Sequence, residues 1–329
     1  MNTSLEKLQK YLIGKNHHQF RRTTKELGLD RLNESFAENN INPVKRSALC
    51  FSRLLNEELP VILPDETIVF TRTISDVPAI FTTVEWERIK NDHYIHELGT
   101  ISNISPDYET TIKVGLESRR QEIKNKIKNQ NLDLDGITFL ESSLLCIESL
   151  QSLIGKYEEY ARSKDHTDIA DVLKVIRYDG AKSFREALQL LRILHFSLWV
   201  AGNYHNTLGR FDQYMYPYFI RDLESGIITE SEAFDLVKEF FLTCNKDSDL
   251  YPGMQQGDNG QSIVLGGRSI DGQYMFNELS RMCLIASYEL ELIDPKINIR
   301  VDKETPDDIF VLGSRLTRKG LGLPQYSND

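Results

Sequence analysis

Three strand-like runs separated by two helical ones, all after residue 260, constrain the fold of this chain most. Ser262-Ile263-Val264-Leu265 is short and apolar enough for a buried strand. Asn277 to Leu292 follows, with Leu279, Met282, Cys283, Ala286 and Leu290 on one helical face. Lys296 to Val301 alternates with period two and reads as a second strand. Thr305-Pro306-Asp307-Asp308 caps another helix, which Gly320 ends, and Leu321 to Tyr326 reads as a third strand. This alternation is the βαβ pattern of a sheet or barrel with its helices outside, an α/β fold.

The chain before it is mostly helical. Residues 3 to 60 carry helical runs broken at Gly14, Gly28 and Asn42-Pro43, and Val44 to Leu55 forms a clear apolar face. Thr67 to Arg72 is β-branched and aromatic, which predicts a short strand. Ser105 and Pro106 predict the N-cap and first position of a helix running to about Asn129, followed by one from about Thr138 to Ser163. Ser183 with Glu186 and Thr229 with Glu232 have capping-box spacing. The first opens a helix, Phe184 to Val200, that is apolar nearly all round towards its end and therefore reads as buried.

Composition excludes classes without naming one. Against 49 acidic residues stand 39 basic ones, a formal charge of −10 that argues against a broad grip on nucleic acid or anionic membrane. No apolar run approaches the roughly eighteen residues of a membrane span. The N-terminus lacks the apolar core of a signal peptide, so a cytoplasmic protein is expected. Cys50, Cys146, Cys244 and Cys283 show no metal-ligand spacing and sit in apolar runs, as reduced, buried thiols do.

The chemistry-bearing stretch is Gly202 to Phe219, G-N-Y-H-N-T-L-G-R-F-D-Q-Y-M-Y-P-Y-F. A loop this rich in rings and charges is buried against a core or lines a pocket. Its aromatics read as packing, and Arg210 beside Asp212 reads as a local ion pair fixing a turn. The alternative is an Arg presented to a carboxylate or phosphate substrate. His17 and His18 in a polar helix and His166 in an acidic loop read as solvated, and His195 as a satisfied core histidine. His205 is open between packing and function. Gly257-Asp258-Asn259-Gly260 reads as a turn, because it precedes a strand and carries an acidic side chain. No H-E-x-x-H, G-x-S-x-G or P-loop is present, and no metal ligands or catalytic pair can be assigned.

Ordered motifs point further. F-R-E-A-L-Q (Phe184 to Gln189), G-R-F-D-Q-Y-M-Y-P-Y (Gly209 to Tyr218), L-G-G (Leu265 to Gly267) and N-E-L-S (Asn277 to Ser280) occur in that order. D-P-K-I-N-I-R-V (Asp294 to Val301) and G-L-G-L-P-Q-Y-S-N-D (Gly320 to Asp329) follow, and G-T-I-S-N-I-S-P-D-Y (Gly99 to Tyr108) precedes them. This series resembles the glycyl radical enzymes of the pyruvate formate-lyase type. The resemblance implies a helical shell around the first half of a ten-stranded β/α barrel. Residues 1–329 would then be one domain portion, with 1–182 mostly shell and 183–329 helices and half-barrel strands.

The implied activity is that of the N-terminal part of such an enzyme, of formate acetyltransferase/lyase or dehydratase type. It would act on a small-molecule substrate by radical C–C, C–O or C–N cleavage. The family's radical cysteine and its glycyl radical loop lie beyond the motif matched at Asn328-Asp329. The expectation is therefore a truncated, split or naturally short chain, inactive in isolation and binding no cofactor directly. The glycyl radical would sit in a C-terminal part, installed by an S-adenosylmethionine-dependent iron–sulfur activating enzyme. Other implied partners are a second copy in a homodimer or a complementing C-terminal chain. The resemblance puts Asn103, His205 and Thr207 towards substrate and makes Arg210 and Asp212 positioning residues. Dehydratase members commonly hold a histidine at Asn103 and a serine at Thr207, which sets this chain apart from them. The alternative is a non-catalytic half-barrel, acting as a binding module or as a subunit partner of a full-length relative.

Overall fold

A computed structural model describes residues 3–92, 104–129, 131–247 and 260–329. The N-terminal shell contains α1 (Thr3–Ile13), a 3-10 turn (Asn16–Phe20), α2 (Leu32–Glu38), α3 (Pro43–Glu57) and α4 (Thr83–Asn91). It continues through α5 (Tyr108–Val114), α6 (Leu116–Asn129), α7 (Leu134–Ser163) and α8 (Thr167–Ile176). Then come α9 (Phe184–Val200), α10 (Phe211–Tyr214), α11 (Tyr216–Glu224) and α12 (Glu230–Thr243). The chain closes with β1 (Ser262–Gly266), α13 (Glu278–Leu290), β2 (Lys296–Val301), α14 (Asp307–Thr317) and β3 (Gln325–Asn328).

The three strands form a parallel sheet in the order β1-β2-β3, with Ser262 opposite Lys296 and Asn298 opposite Gln325. Parallel pairing needs a crossover, and α13 and α14 supply the two. Ile263, Leu265, Ile297 and Ile299 are fully buried, whereas all four residues of β3 are exposed. Isolated parallel bridges carry the wall outward from β1, first to Gly209 opposite Ile263 and then to Ile104 opposite Asn206.

Side-chain caps set half of the described helix starts. Asn42 accepts from Val44 N ahead of Pro43, and both arms of the Thr229–Glu232 box form. The Ser183 hydroxyl accepts from Glu186 N as expected, but the Glu186 carboxylate reaches past Ser183 to Lys182 N. Asp107, not Ser105, caps α5. The single helix expected from Pro106 to Asn129 is two, split at Gly115 with φ +83°. A Cβ there would lie 2.3 Å from the Asp179 carbonyl carbon, so two backbones cross where only glycine fits. Among the described residues α7 alone is long and apolar enough on average to cross a bilayer. Here it packs against α3, α6 and α8.

The strand expected at Thr67–Arg72 does not form. The segment is buried and irregular, and side chains from distant helices take the place of a β ladder. Glu239 of α12 accepts from the amides of Thr67 and Ile68 and from the Thr67 hydroxyl. Gln189 of α9 holds both polar groups of Val69, at 2.8 and 3.2 Å. Arg192 donates twice to the Phe70 carbonyl, and the Tyr157 hydroxyl spans Thr71 N and O. Lys246 reaches the Ile68 carbonyl and Glu58 the Thr73 amide. Buried peptide groups need partners, and here side chains meet that need. Phe70 has φ +87°, a strained backbone for an aromatic residue. Its ring is fixed by stacking on Tyr157 at 4.1 Å and by an edge contact with Phe196.

His17 is also not solvated as expected. It is 1% exposed, its Nε2 lies 3.2 Å from the Lys246 carbonyl, and burial lowers its pKa to about 4. Cys50, Cys244 and Cys283 are buried free thiols, while Cys146 is only half-buried.

Urea unfolding tests this packing. Glu239→Ala leaves buried donors unpaired and should cost about 3 kcal/mol. Arg192→Met strands the buried Asp247 carboxylate, at a cost of about 3–5 kcal/mol. The depressed His17 pKa means that its contribution is intact above pH 6.5 and is lost as pH falls through about 4. The stability of His17→Asn should therefore fall less than that of the unaltered chain between pH 7 and 4, by up to about 3 kcal/mol.

Candidate functional site

The loop after α9 is laid alongside β1. Gly202 ends the helix with φ +79°, and the chain turns so that residues 204–209 run parallel to the strand. Leu208 N donates to the Ser262 carbonyl at 2.7 Å, and Val264 N donates to the Gly209 carbonyl at 2.9 Å. On the other side, Thr207 N donates to the Ile104 carbonyl at 3.1 Å. The stretch is thus a spliced extra strand, although too few of its bonds are regular for it to count as one.

The sequence-singled residues divide between the two ends of β1. His205 and Thr207 lie at its start. The half-buried His205 packs on Gly260, where an added Cβ would come within 2.5 Å of the ring Nδ1. The Thr207 hydroxyl donates to the Ser262 carbonyl and accepts from Gly209 N, both at 3.0 Å, which leaves one lone pair for anything else. Arg210 and Asp212 lie at the far end of β1, roughly 13 Å along the strand at its ordinary rise. Asn103, the remaining candidate, lies outside the described residues, as do Gly257, Asp258 and Asn259 of the expected turn.

Arg210 and Asp212 do not form the local ion pair read from their spacing. Each grips Gly266 instead. Asp212 Oδ2 accepts from Gly266 N at 2.7 Å, and an Arg210 Nη donates to the Gly266 carbonyl. The same Asp212 oxygen accepts from the Ser280 hydroxyl at 2.6 Å, and the N-cap residue Asn277 donates to the Asp212 carbonyl. The N-E-L-S motif therefore seats the N-terminus of α13 on Asp212, where the helix dipole favours negative charge. Asp212 is fully buried, and desolvation raises its pKa against the opposing pull of these donors and the Arg210 charge.

Sequence reasoning missed two participants. Asn206 is 0% exposed, and its Oδ1 has no partner. Its position between His205 and Thr207 was the only signal. Gln261, immediately before β1, was not singled out at all. It is fully buried and links His195 to Cys244 and Asp294.

An open depression of about 750 Å3 lies past the C-terminal ends of the strands, away from His205, lined by residues such as Arg268, Arg300, Lys303 and Asp329. Its charges are largely cross-paired, Arg300 with Asp329 and Arg268 with Asp302 and Glu304. No cluster of metal-binding side chains occurs among the described residues. Burial pushes the Cys50 thiol up to about 12 and Cys146 to about 11, and raises Cys244 and Cys283 as well. None is an activated thiol.

Residues 82–329 match the pyruvate formate lyase-like family, and the chain belongs to it. It is 26% identical over 238 residues to the 4-hydroxyphenylacetate decarboxylase glycyl radical subunit of Clostridioides difficile, covering 66% of this chain and 26% of that protein. It is also 26% identical over 250 residues to the trans-4-hydroxy-L-proline dehydratase of Clostridioides difficile, covering 67% and 31%. A structure concerning 1,2-propanediol dehydration in Roseburia inulinivorans superposes on the whole chain with a TM-score of 0.81 at 22% identity. The glycerol-bound B12-independent glycerol dehydratase of Clostridium butyricum does so with 0.79, again at 22% identity. The chain spans 50% and 51% of those two solved chains. The fold is therefore the helical shell and first half-barrel of the pyruvate formate-lyase type.

Truncating the brace at Gly266 tests the site's architecture. Asp212→Ala should destabilise by about 1–3 kcal/mol, since it unpairs the buried Gly266 amide and leaves the Ser280 hydroxyl only its Asn277 partners. Hydrogen exchange of the Gly266 amide should quicken most. Gly260→Ala should displace the His205 ring, read as a shifted imidazole NMR signal.

Proposed function

We propose that these residues are the N-terminal part of a glycyl radical enzyme of lyase or dehydratase type. It acts on a small substrate by radical C–C, C–O or C–N cleavage. The family match over residues 82–329 carries this reading. Curated relatives support it, because their printed activities are decarboxylation and dehydration on a common scaffold. In this reading His205 and Thr207 face the substrate, together with Asn103. Arg210 and Asp212 hold the end of β1 so that the stretch before them keeps its register.

The radical itself finds no home among these residues. All four cysteines lie within helices or at a helix end, three of them buried, so no thiyl step is assigned to them. The cysteine and the glycine would be supplied by the rest of the enzyme, and the glycyl radical by a cytoplasmic radical S-adenosylmethionine activating enzyme. Asn103 and Thr207, in place of the histidine and serine common in dehydratases, weigh against a simple diol substrate.

The test is anaerobic activation of the protein from the complete reading frame, followed by electron paramagnetic resonance and a substrate panel. The panel spans 2-oxo acids, diols, hydroxyproline and arylacetates. A glycyl doublet and turnover of one class are expected. His205→Ala and Thr207→Val should then lower kcat/KM by about tenfold or more at unchanged radical yield, as loss of a group that contacts the substrate does. Absence of any radical from a complete, activated protein would overturn the reading.

A second reading is a non-catalytic half-barrel that pairs with a full-length relative. One observation favours it: β3 is exposed at all four residues, and an open strand edge invites a partner. Light scattering of residues 1–329 should then show a defined oligomer or complex, whereas a stable, soluble monomer counts against it.

A further inference from the structure

The core histidine of α9 does more than fill space. His195 is 1% exposed, and each ring nitrogen has a partner on a different part of the wall. Nδ1 lies 3.0 Å from the Tyr108 hydroxyl, at the start of α5 and four residues after the Ile104 bridge. Nε2 lies 2.8 Å from Gln261 Oε1, at the entry to β1. Gln261 in turn donates through Nε2 to the Cys244 carbonyl at 2.7 Å and to Asp294 Oδ2 at 3.3 Å, the latter two residues before β2.

The directions of these bonds are fixed by one atom. The Cys244 carbonyl can only accept, so the Gln261 amide nitrogen must face it and its oxygen must face His195. His195 Nε2 therefore carries the proton. Nδ1 is then the acceptor, and the Tyr108 hydroxyl donates to it. The Trp199 indole N–H, 3.3 Å from the same Nε2, finds no lone pair there. Burial keeps the ring neutral by lowering its pKa to about 4. The result is a one-way chain, Tyr108 to His195 to Gln261 to Asp294.

The backbone bonds show what this chain holds in place. The Gln261 carbonyl accepts from Lys296 N at 2.7 Å, which starts the β1–β2 register. Ile104, close to Tyr108, accepts from Thr207 N. His195 is thus the side chain that ties both neighbours of the 204–209 stretch to the core helix: β1 on one side and the residue 104 strip on the other. We infer that His195, in its Nε2-protonated tautomer, is a positioning residue that sets the spacing of the His205–Thr207 stretch between β1 and residues 104–108. Its bearing on substrate rests on the proposed reading that His205 and Thr207 face the substrate. The positioning itself does not.

The experiment uses the two amide mimics of histidine. His195→Asn sets an amide oxygen near the Nδ1 position and can keep the Tyr108 bond while losing Gln261. His195→Gln reaches the Nε2 position and can keep Gln261 while losing Tyr108. Hydrogen exchange should therefore quicken by about tenfold or more at 208 and 296 in His195→Asn, and at 104, 108 and 207 in His195→Gln, as expected when one local anchor is lost. Identical exchange patterns in the two variants, or uniform quickening across the chain, would overturn the inference. Imidazole 15N signals of the unsubstituted protein give an answer that does not depend on variant folding. A neutral Nε2–H tautomer from about pH 8 to 5 is expected, and an Nδ1–H tautomer or an imidazolium at about pH 6 contradicts it. These readouts need no turnover. The expected exchange result with an inactive activated enzyme would count against the proposed function alone.

Discussion

The rest of the structure depends on how residues 67–73 are held. A buried irregular segment with backbone pairing only at its end, where Arg22 N donates to the Thr73 carbonyl, leaves most of its amides and carbonyls in need of other partners, each at a cost of about 1–3 kcal/mol if unmet. Six side chains meet the need, from α3's end, α7, α9, α12 and the residues after α12: Glu58, Tyr157, Gln189, Arg192, Glu239 and Lys246. These groups would themselves be costly to bury. The two cations are tolerable because they are paired, Arg192 with Asp247 at 2.6 Å and Lys246 with Glu66 at 2.6 Å, while Glu58 and Glu239 are held by amide and threonine hydroxyl donors. The segment and its ion pairs make each other possible, so the shell closes around a polar spine as well as around an apolar core.

That spine fixes α9, and α9 fixes the site. Gln189 and Arg192 grip the buried segment, His195 sits one turn further on, and the helix ends at the loop that carries His205 and Thr207. Arg72 donates to the Trp199 carbonyl at the helix end, where a cation suits the dipole. One helix thus transmits the shell's geometry to the wall. At the other end of β1 the grip of Arg210 and Asp212 on Gly266 serves the same purpose, tying α10 and α13 to the strand.

Much of this was legible in the sequence where the signal is local. The caps at Ser183 and Thr229, the two strands Ser262–Leu265 and Lys296–Val301, and the buried α9 all follow from neighbouring residues or short periods. Misreadings fell where distant partners decide. Thr67–Arg72 has strand composition, but the side chains that hold its backbone lie 86 to 178 residues away in sequence. His17 reads as polar surface until Lys246 supplies a carbonyl 229 residues later. Arg210 and Asp212 are near neighbours that do not pair, because a strand end offers each a better-placed group. The site was legible as a stretch, through its crowding of rings and charges. Asn206 and Gln261 were not, since an asparagine among polar neighbours and a glutamine before a strand carry no signal until burial is known.

The central claim is that side chains, in place of a strand ladder, lock residues 67–73 into the core. Native-state hydrogen exchange of the Val69 and Thr71 amides tests it most directly. The account predicts that both exchange only with global unfolding, as slowly as the amides of α9, although neither lies in a helix or strand. Exchange at rates typical of an open loop would contradict it.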